Sequence, residues 1–152
     1  ENAGCTVDDR KNAVRIRRDK PLRAVRDIRT MPYPGFPTDA QALIMAVLTV
    51  AQGTSVIVEN IFESRFKHVS ELNRMGAKIK TEGKLALIDG VKELHGTSVT
   101  ASDLRGGAAL VVAGLCAKGS TVISNISHID RGYEKIEESF KFLGADIKRV
   151  KQ

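Results

Sequence analysis

One unit of sequence occurs twice in this chain, and that repeat constrains the fold more than any other feature. Gly53-Thr54-Ser55-Val56-Ile57 returns as Gly119-Ser120-Thr121-Val122-Ile123, 66 residues further on, and Arg65 returns as Arg131 at the same spacing. Gly76-Ala77-Lys78-Ile79-Lys80 returns as Gly144-Ala145-Asp146-Ile147-Lys148 at a spacing of 68. Upstream, Asp39 and Gln41 open one apolar stretch, and Asp103 and Arg105 open the other. The unit therefore reads as helix, strand, loop carrying an Arg, helix, then Gly-Ala and a strand. Ala3-Gly4-Cys5-Thr6-Val7 matches the tail of the same unit, so a third copy is expected to be cut off before Glu1. The period is longer than that of most solenoid repeats, and a few such units can share one core. The chain's 152 residues suit a single domain. The expected division is the end of a truncated unit with basic strands over 1–30, one repeat unit over 31–90 and another over 91–152.

Local patterning gives an α/β chain. Thr38–Gln52 is apolar nearly throughout and stops at Gly53, as a buried helix does. Ser55–Val58 is β-branched and reads as a strand. A short helix is expected over His68–Met75, closed by Gly76. Lys78–Lys80 and Leu85–Ile88 alternate across Glu82-Gly83, a hairpin signal. Strand Ser98–Ala101, helix Asp103–Lys118 and strand Thr121–Ser124 follow. An amphipathic helix over Tyr133–Leu143 and a last strand over Asp146–Val150 complete the pattern. Pro32, Pro34 and Pro37 make a stiff, extended entry to the first helix.

Charge and cysteine content narrow the function classes. The net charge is +6, and residues 1–30 alone hold nine Lys/Arg against five acids. Such a balance favours an anionic partner, although a solvated strand face explains it equally simply. Aromatic residues are 5% and Trp is absent, which leaves little for stacking on bases, so no nucleic-acid partner is expected. The longest apolar runs, Ala42–Ala51 and Ala108–Ala117, are half what a membrane-spanning helix needs, about 20 residues. Two cysteines, Cys5 and Cys116, are too few for a disulfide scaffold, and a reducing, cytoplasmic compartment is the default. Cys116, inside Gly114-Leu115-Cys116-Ala117, reads as a small buried hydrophobe. No His/Cys/Asp spacing fits a metal site, and no cofactor is expected.

The candidate chemistry lies in acids and arginines at repeated positions. Asp39 and Asp103 each precede an apolar helix, where a carboxylate ordinarily caps backbone N–H groups. The same place suits an anion or a substrate hydroxyl, with Asp39 as acceptor or base. Arg65 and Arg131 follow equivalent strands. Each has an acidic neighbour to pair with, Glu63 and Asp130. Repeat symmetry, however, should bring their loops to one end of the domain. With Arg105 they would form a cluster for phosphate or carboxylate, which the planar guanidinium fork suits. Gly106-Gly107, in a first helical turn, would permit close approach of a ligand or a neighbouring backbone.

Those residues also carry a family resemblance. Pro34-Gly35-Phe36-Pro37-Thr38-Asp39-Ala40-Gln41, Phe62-Glu63-Ser64-Arg65-Phe66, Asp103-Leu104-Arg105 and His128-Ile129-Asp130-Arg131-Gly132-Tyr133-Glu134 occur in this order over nearly the whole chain. They resemble the C-terminal part of the enolpyruvyl transferases that act on UDP-N-acetylglucosamine and begin peptidoglycan synthesis. The resemblance implies an inside-out α/β barrel of repeated helix–strand units, here a partial domain. It implies transfer of the enolpyruvyl group from phosphoenolpyruvate to the sugar 3-hydroxyl, with release of phosphate. By matching motif, Asp39 would contact that hydroxyl as its base, and Ile61 and Phe62 would lie along the uridine. Arg65, Arg105 and Arg131 would hold the anionic groups, and Asp103 would orient the substrates. The family's cysteine proton donor and its phosphoenolpyruvate lysine belong to the missing N-terminal domain of the polypeptide. Cys5 and Cys116 do not stand in matching contexts, so the fragment alone is expected to be inactive. Two other readings compete: 3-phosphoshikimate 1-carboxyvinyltransferase, and a non-catalytic nucleotide-sugar or nucleic-acid binding module.

Overall fold

The computed structural model describes residues 1–150. Its elements run in the following order. A hairpin of β1 (Thr6–Arg10) and β2 (Ala13–Arg17) comes first. Then β3 (Ile28–Arg29), a 3-10 turn (Thr38–Ala40), α1 (Gln41–Leu48) and β4 (Thr54–Val58) form a β-α-β unit with parallel strands. After α2 (Val69–Arg74), β5 (Lys78–Glu82) and β6 (Leu85–Asp89) form a second hairpin, and β6 lies antiparallel against β4. The second β-α-β unit is β7 (Ser98–Thr100), α3 (Leu104–Cys116) and β8 (Val122–Ser124), again parallel. Two short helices close the described chain, α4 (Ser127–Asp130) and α5 (Ile136–Phe142). The central sheet has the order β3-β4-β6-β5, and β1-β2 and β7-β8 stand as separate pairs.

The two β-α-β units share their backbone hydrogen bonding. Gln52 N–H donates to Leu22 O (2.7 Å) and its carbonyl accepts from Ala24 N–H (2.9 Å). Lys118 does the same between Leu94 and Gly96, at 2.8 Å each. The next residue in each case, Gly53 or Gly119, takes a left-handed turn, with φ of 100° and 89°. An L side chain is strained there, which is why glycine marks both copies. The two hairpins also share their register. Arg10 pairs Ala13 as Glu82 pairs Leu85, so each turn has two residues between the paired positions.

Helices α1 and α3 pack on each other and supply the middle of the core. Ala42, Met45, Ala46 and Leu48 meet Ala109, Leu110 and Ala113 in one buried cluster, with Ile57, Leu72, Ile79 and Ile88 around them. The glycines of α3 admit protein neighbours. A Cβ on Gly107 would sit 2.6 Å from Ile129 Cγ1, and one on Gly106 would sit 3.0 Å from His68 Cβ. Close packing of α4 and His68 thus accounts for residues that cost a helix about 1 kcal/mol each.

Several sequence expectations shift in the structure. The first helix is a 3-10 turn followed by only eight α-helical residues, and it ends at Leu48 rather than Gln52. Thr49 Oγ1 donates to Ala46 O (2.6 Å) there, side-chain competition that suits a helix end. The last helix starts at Ile136 rather than Tyr133, because Lys135 is left-handed (φ 47°) and breaks the run. Asp146–Val150 is not a strand. Its counterpart β5 is held by the β6 ladder that follows it, and no ladder partner follows residue 146 among the described residues. Cys116 is exposed rather than buried, since the buried stripe of α3 ends at Ala113. Helix α4 has no counterpart in the sequence reading.

Candidate functional site

The packing of α1 on α3 brings two helix starts to one end of the molecule. The turn before α1 carries Asp39, and the first turn of α3 carries Arg105. The loop between β4 and α2 brings Arg65 to the same place. Asp39 Oδ1 accepts from Arg105 Nε at 2.7 Å and from Arg65 Nη2 at 2.9 Å. These contacts bridge 66 and 26 residues of sequence, so they are products of the fold. The Arg105 hydrogen bond, helped by the charges of both arginines, outweighs desolvation and holds the Asp39 carboxyl below the usual carboxylate range. The same bond raises Arg105 above its ordinary value. Arg65 pairs with Asp39 and not with Glu63; its guanidinium also lies over the Phe62 ring, 4.7 Å from the centroid.

The two helix-opening aspartates do different jobs. Asp103 caps α3: its Oδ1 accepts from Gly106 N–H (2.8 Å) and its Oδ2 from Ser102 Oγ (3.2 Å). Burial opposes its ionisation, but those donors and nearby His68 win, and its pKa is lowered. Asp39 caps nothing. It lies inside the 3-10 turn, and neither that turn nor α1 has a side-chain cap. Its 59% exposed carboxylate faces the arginines and solvent, as a group available to a ligand should.

Ile61 and Phe62 follow β4 and are 36% and 51% exposed. Arg131 sits at the end of α4, exposed, with no side-chain hydrogen bond or ion pair among the described residues. Asp130, its sequence neighbour, pairs instead with Arg149 at 2.7 Å. The following residue, Gly132, lies against Leu104, next to Arg105, where a Cβ would come within 2.7 Å. The structure therefore joins Asp39, Arg65 and Arg105 directly and leaves Arg131 on an adjoining loop. Cys116 is at the far end of α3 from Arg105, about 17 Å along the axis at about 1.5 Å per residue. Among the described residues no group of three or more His, Cys, Asp or Glu could hold a metal ion, and no helix is long and apolar enough to cross a membrane.

Of two buried ionisable groups near the site, Glu59 escaped the sequence reading, and His68 entered it only as the start of a helix. Glu59, only 1% exposed, accepts hydrogen bonds from Thr30, Thr38 and the backbone of Ile61 and Phe62. Alternation along β4 was the available signal, because Ser55, Ile57 and Glu59 all point inward. His68, also 1% exposed, is pushed down to about 4, chiefly by burial, with Asp103 opposing and Arg65 assisting. It is a neutral imidazole at pH 7.

The family pattern of EPSP synthase (3-phosphoshikimate 1-carboxyvinyltransferase) matches residues 1–140. A UDP-N-acetylglucosamine 1-carboxyvinyltransferase of Magnetococcus marinus is 58% identical over 97% of this chain, which covers 35% of that protein. One from Desulfofundulus thermocisternus is 57% identical over 97% of the chain and 60% of its own length. Among solved structures, the enolpyruvyl transferase NikO from Streptomyces tendae aligns over 98% of this chain and 34% of its own, at 32% identity and a TM-score of 0.89. EPSP synthase from Acinetobacter baumannii aligns over 98% of this chain and 35% of its own, at 19% identity and a TM-score of 0.72, a likeness of fold alone. The chain thus spans roughly a third to three-fifths of the length of these two carboxyvinyltransferases.

Proposed function

This chain belongs to the EPSP synthase family of enolpyruvyl transferases, and from that premise we propose that it supplies one wall of the active site of a UDP-N-acetylglucosamine 1-carboxyvinyltransferase. The reaction moves the enolpyruvyl group of phosphoenolpyruvate to the sugar 3-hydroxyl and releases phosphate, a step of peptidoglycan precursor synthesis in the cytoplasm. The 58% identity to carboxyvinyltransferases named for this nucleotide sugar favours it over shikimate 3-phosphate.

The observation that supports the reading best is the convergence of Arg105 and Arg65 on an uncapped, exposed Asp39. Addition and elimination at phosphoenolpyruvate require three things of a protein: neutralised anions, an oriented hydroxyl and a route for protons. Arg65 and Arg105 each spend one N–H on Asp39 and have others for a carboxylate or phosphate. Asp39, held ionised by the two cations, is a weak base while both grip it. Substrate anions that draw the guanidinium groups away raise its basicity where the hydroxyl proton must leave. Arg131 on the adjoining loop adds a further cation for those anions. Ile61 and Phe62 offer exposed apolar surface beside Arg65 for the uridine. Asp103 orients the substrates only indirectly, by fixing the start of α3 that carries Arg105. By the resemblance, a cysteine proton donor and a phosphoenolpyruvate lysine are also needed and have no matching motif in residues 1–152, so these residues alone should not turn over.

The test is phosphate release from phosphoenolpyruvate by the polypeptide of the relatives' length that carries this segment. Release with UDP-N-acetylglucosamine and none with shikimate 3-phosphate is expected. The reverse preference would overturn the substrate assignment.

A further inference from the structure

The Asp39 turn and the Ile61–Phe62 loop belong to different elements, yet one buried carboxylate holds both. Glu59 lies just past the end of β4. Its Oε1 accepts from Thr30 Oγ1 (2.8 Å), Ile61 N–H (2.9 Å) and Phe62 N–H (3.1 Å). Thr30 Oγ1 in turn accepts from Asn60 N–H (2.8 Å), so three successive amides after β4 are fixed by this pair. Glu59 Oε2 accepts from Thr38 Oγ1 (3.0 Å), the residue immediately before Asp39. A carboxylate at 1% exposure is costly unless its lone pairs are satisfied, and here four donors satisfy them. Those donors outweigh the burial, and Glu59 is held ionised. Without it two backbone N–H groups and two threonine hydroxyls, on two separate segments, would lose their acceptor.

We propose that Glu59 is a positioning residue: through Oε1 it sets the Ile61–Phe62 surface, and through Oε2 it sets the turn that aims Asp39. Its two oxygens serve the two halves of the site separately. The Oε1 arm acts on nucleotide binding, because it fixes Ile61 and the Phe62 ring under Arg65. The Oε2 arm acts on the chemical step, because Thr38 is covalently next to the base. The kinetic part of this inference rests on the transferase reading; the hydrogen-bonding part does not.

Three variants of the full-length polypeptide separate the arms. Thr38→Val removes the Oε2 donor while keeping the side-chain shape, and Thr38→Ser restores it. Glu59→Gln keeps an acceptor for Ile61 and Phe62 but removes the charge, and charge-assisted bonds are about twice as strong as neutral ones. Thr38→Val should lower kcat about tenfold with the nucleotide-sugar KM within roughly twofold, and Thr38→Ser should recover kcat. Glu59→Gln should raise that KM about fivefold to tenfold. It should also speed amide hydrogen exchange at Ile61 and Phe62 at least about tenfold, which Thr38→Val should not do. Thermal midpoints are read alongside. Unchanged kinetics in folded Thr38→Val and Glu59→Gln would overturn the proposal, as would kinetic losses that follow the midpoints with no kcat–KM separation. If the unaltered protein releases no phosphate, the transferase reading fails. The exchange rates at Ile61 and Phe62 then decide the case for Glu59 by themselves.

Discussion

Asp39 and Asp103 show how far a single residue can be read from its neighbours. Both precede apolar helices, and the sequence alone offers each the role of cap or ligand. Only the structure separates them, because capping depends on backbone geometry: Asp103 is extended and bonds Gly106 N–H, whereas Asp39 lies within a 3-10 turn. Asp39→Asn should therefore leave the thermal midpoint within about 4 °C, since such ion pairs contribute about 0–1 kcal/mol each, while kcat falls about 10²- to 10⁴-fold. Circular dichroism melts and steady-state rates check the two parts. His68 gives a stability prediction. Its folded pKa is depressed from 6.5 to about 4, so the stability tied to its neutral form is present above pH 6.5. That stability is lost as the pH falls toward 4. Between pH 7 and pH 5 the loss should be about 2 kcal/mol by linkage, and His68→Gln should flatten the slope of urea midpoints over that range. An unaltered slope would mean that His68 protonates without leaving its buried site.

The elements were legible where composition and repeat agreed. Strand β4, the β5-β6 hairpin, α2 and α3 fall within a residue or two of their expected spans. Gly53, Gly76, Gly119 and Gly144 all take the positive φ expected of terminating glycines. The misses have local causes that a hydrophobic pattern does not encode. Lys135 turns left-handed ahead of α5, and Thr49 bonds back to Ala46 as α1 ends. A strand at Asp146–Val150 needs a partner that periodicity cannot supply. Composition gives no signal for Glu59; only its inward register, shared with Ser55 and Ile57, marks it. The Gly106-Gly107 pair admits a close neighbour, as expected, but the neighbours are the side chains of His68 and Ile129 rather than a backbone. Gly107→Ala should accordingly lower stability by about 1–3 kcal/mol through overpacking, despite alanine's better helix propensity. Ile129→Ala in the same chain should recover part of that loss, a coupling that a double-mutant cycle of urea midpoints measures. Simple additivity would contradict the contact.

At the scale of the whole molecule, the repeat does most to place the site. Equivalent β-α-β units pack α1 on α3, so the starts of both helices meet and distant residues become ligands of one carboxylate. The repeat did not place Arg131 equally with Arg65, because α4 occupies the segment leading to it and Asp130 turns to Arg149 instead. Within the basic N-terminal segment, β1 and β2 form an exposed hairpin with local pairs such as Arg10–Asp8 and Arg17–Asp19. On the transferase reading, Asp39, gripped by Arg65 and Arg105, is the base of an enolpyruvyl transfer to a nucleotide sugar. The most direct test is phosphate release from phosphoenolpyruvate and UDP-N-acetylglucosamine by the full-length polypeptide, compared with its Asp39→Asn variant. Release that depends on the nucleotide sugar and falls at least about 10²-fold in the variant is the predicted result; release without the nucleotide sugar, or undiminished by the substitution, would contradict it.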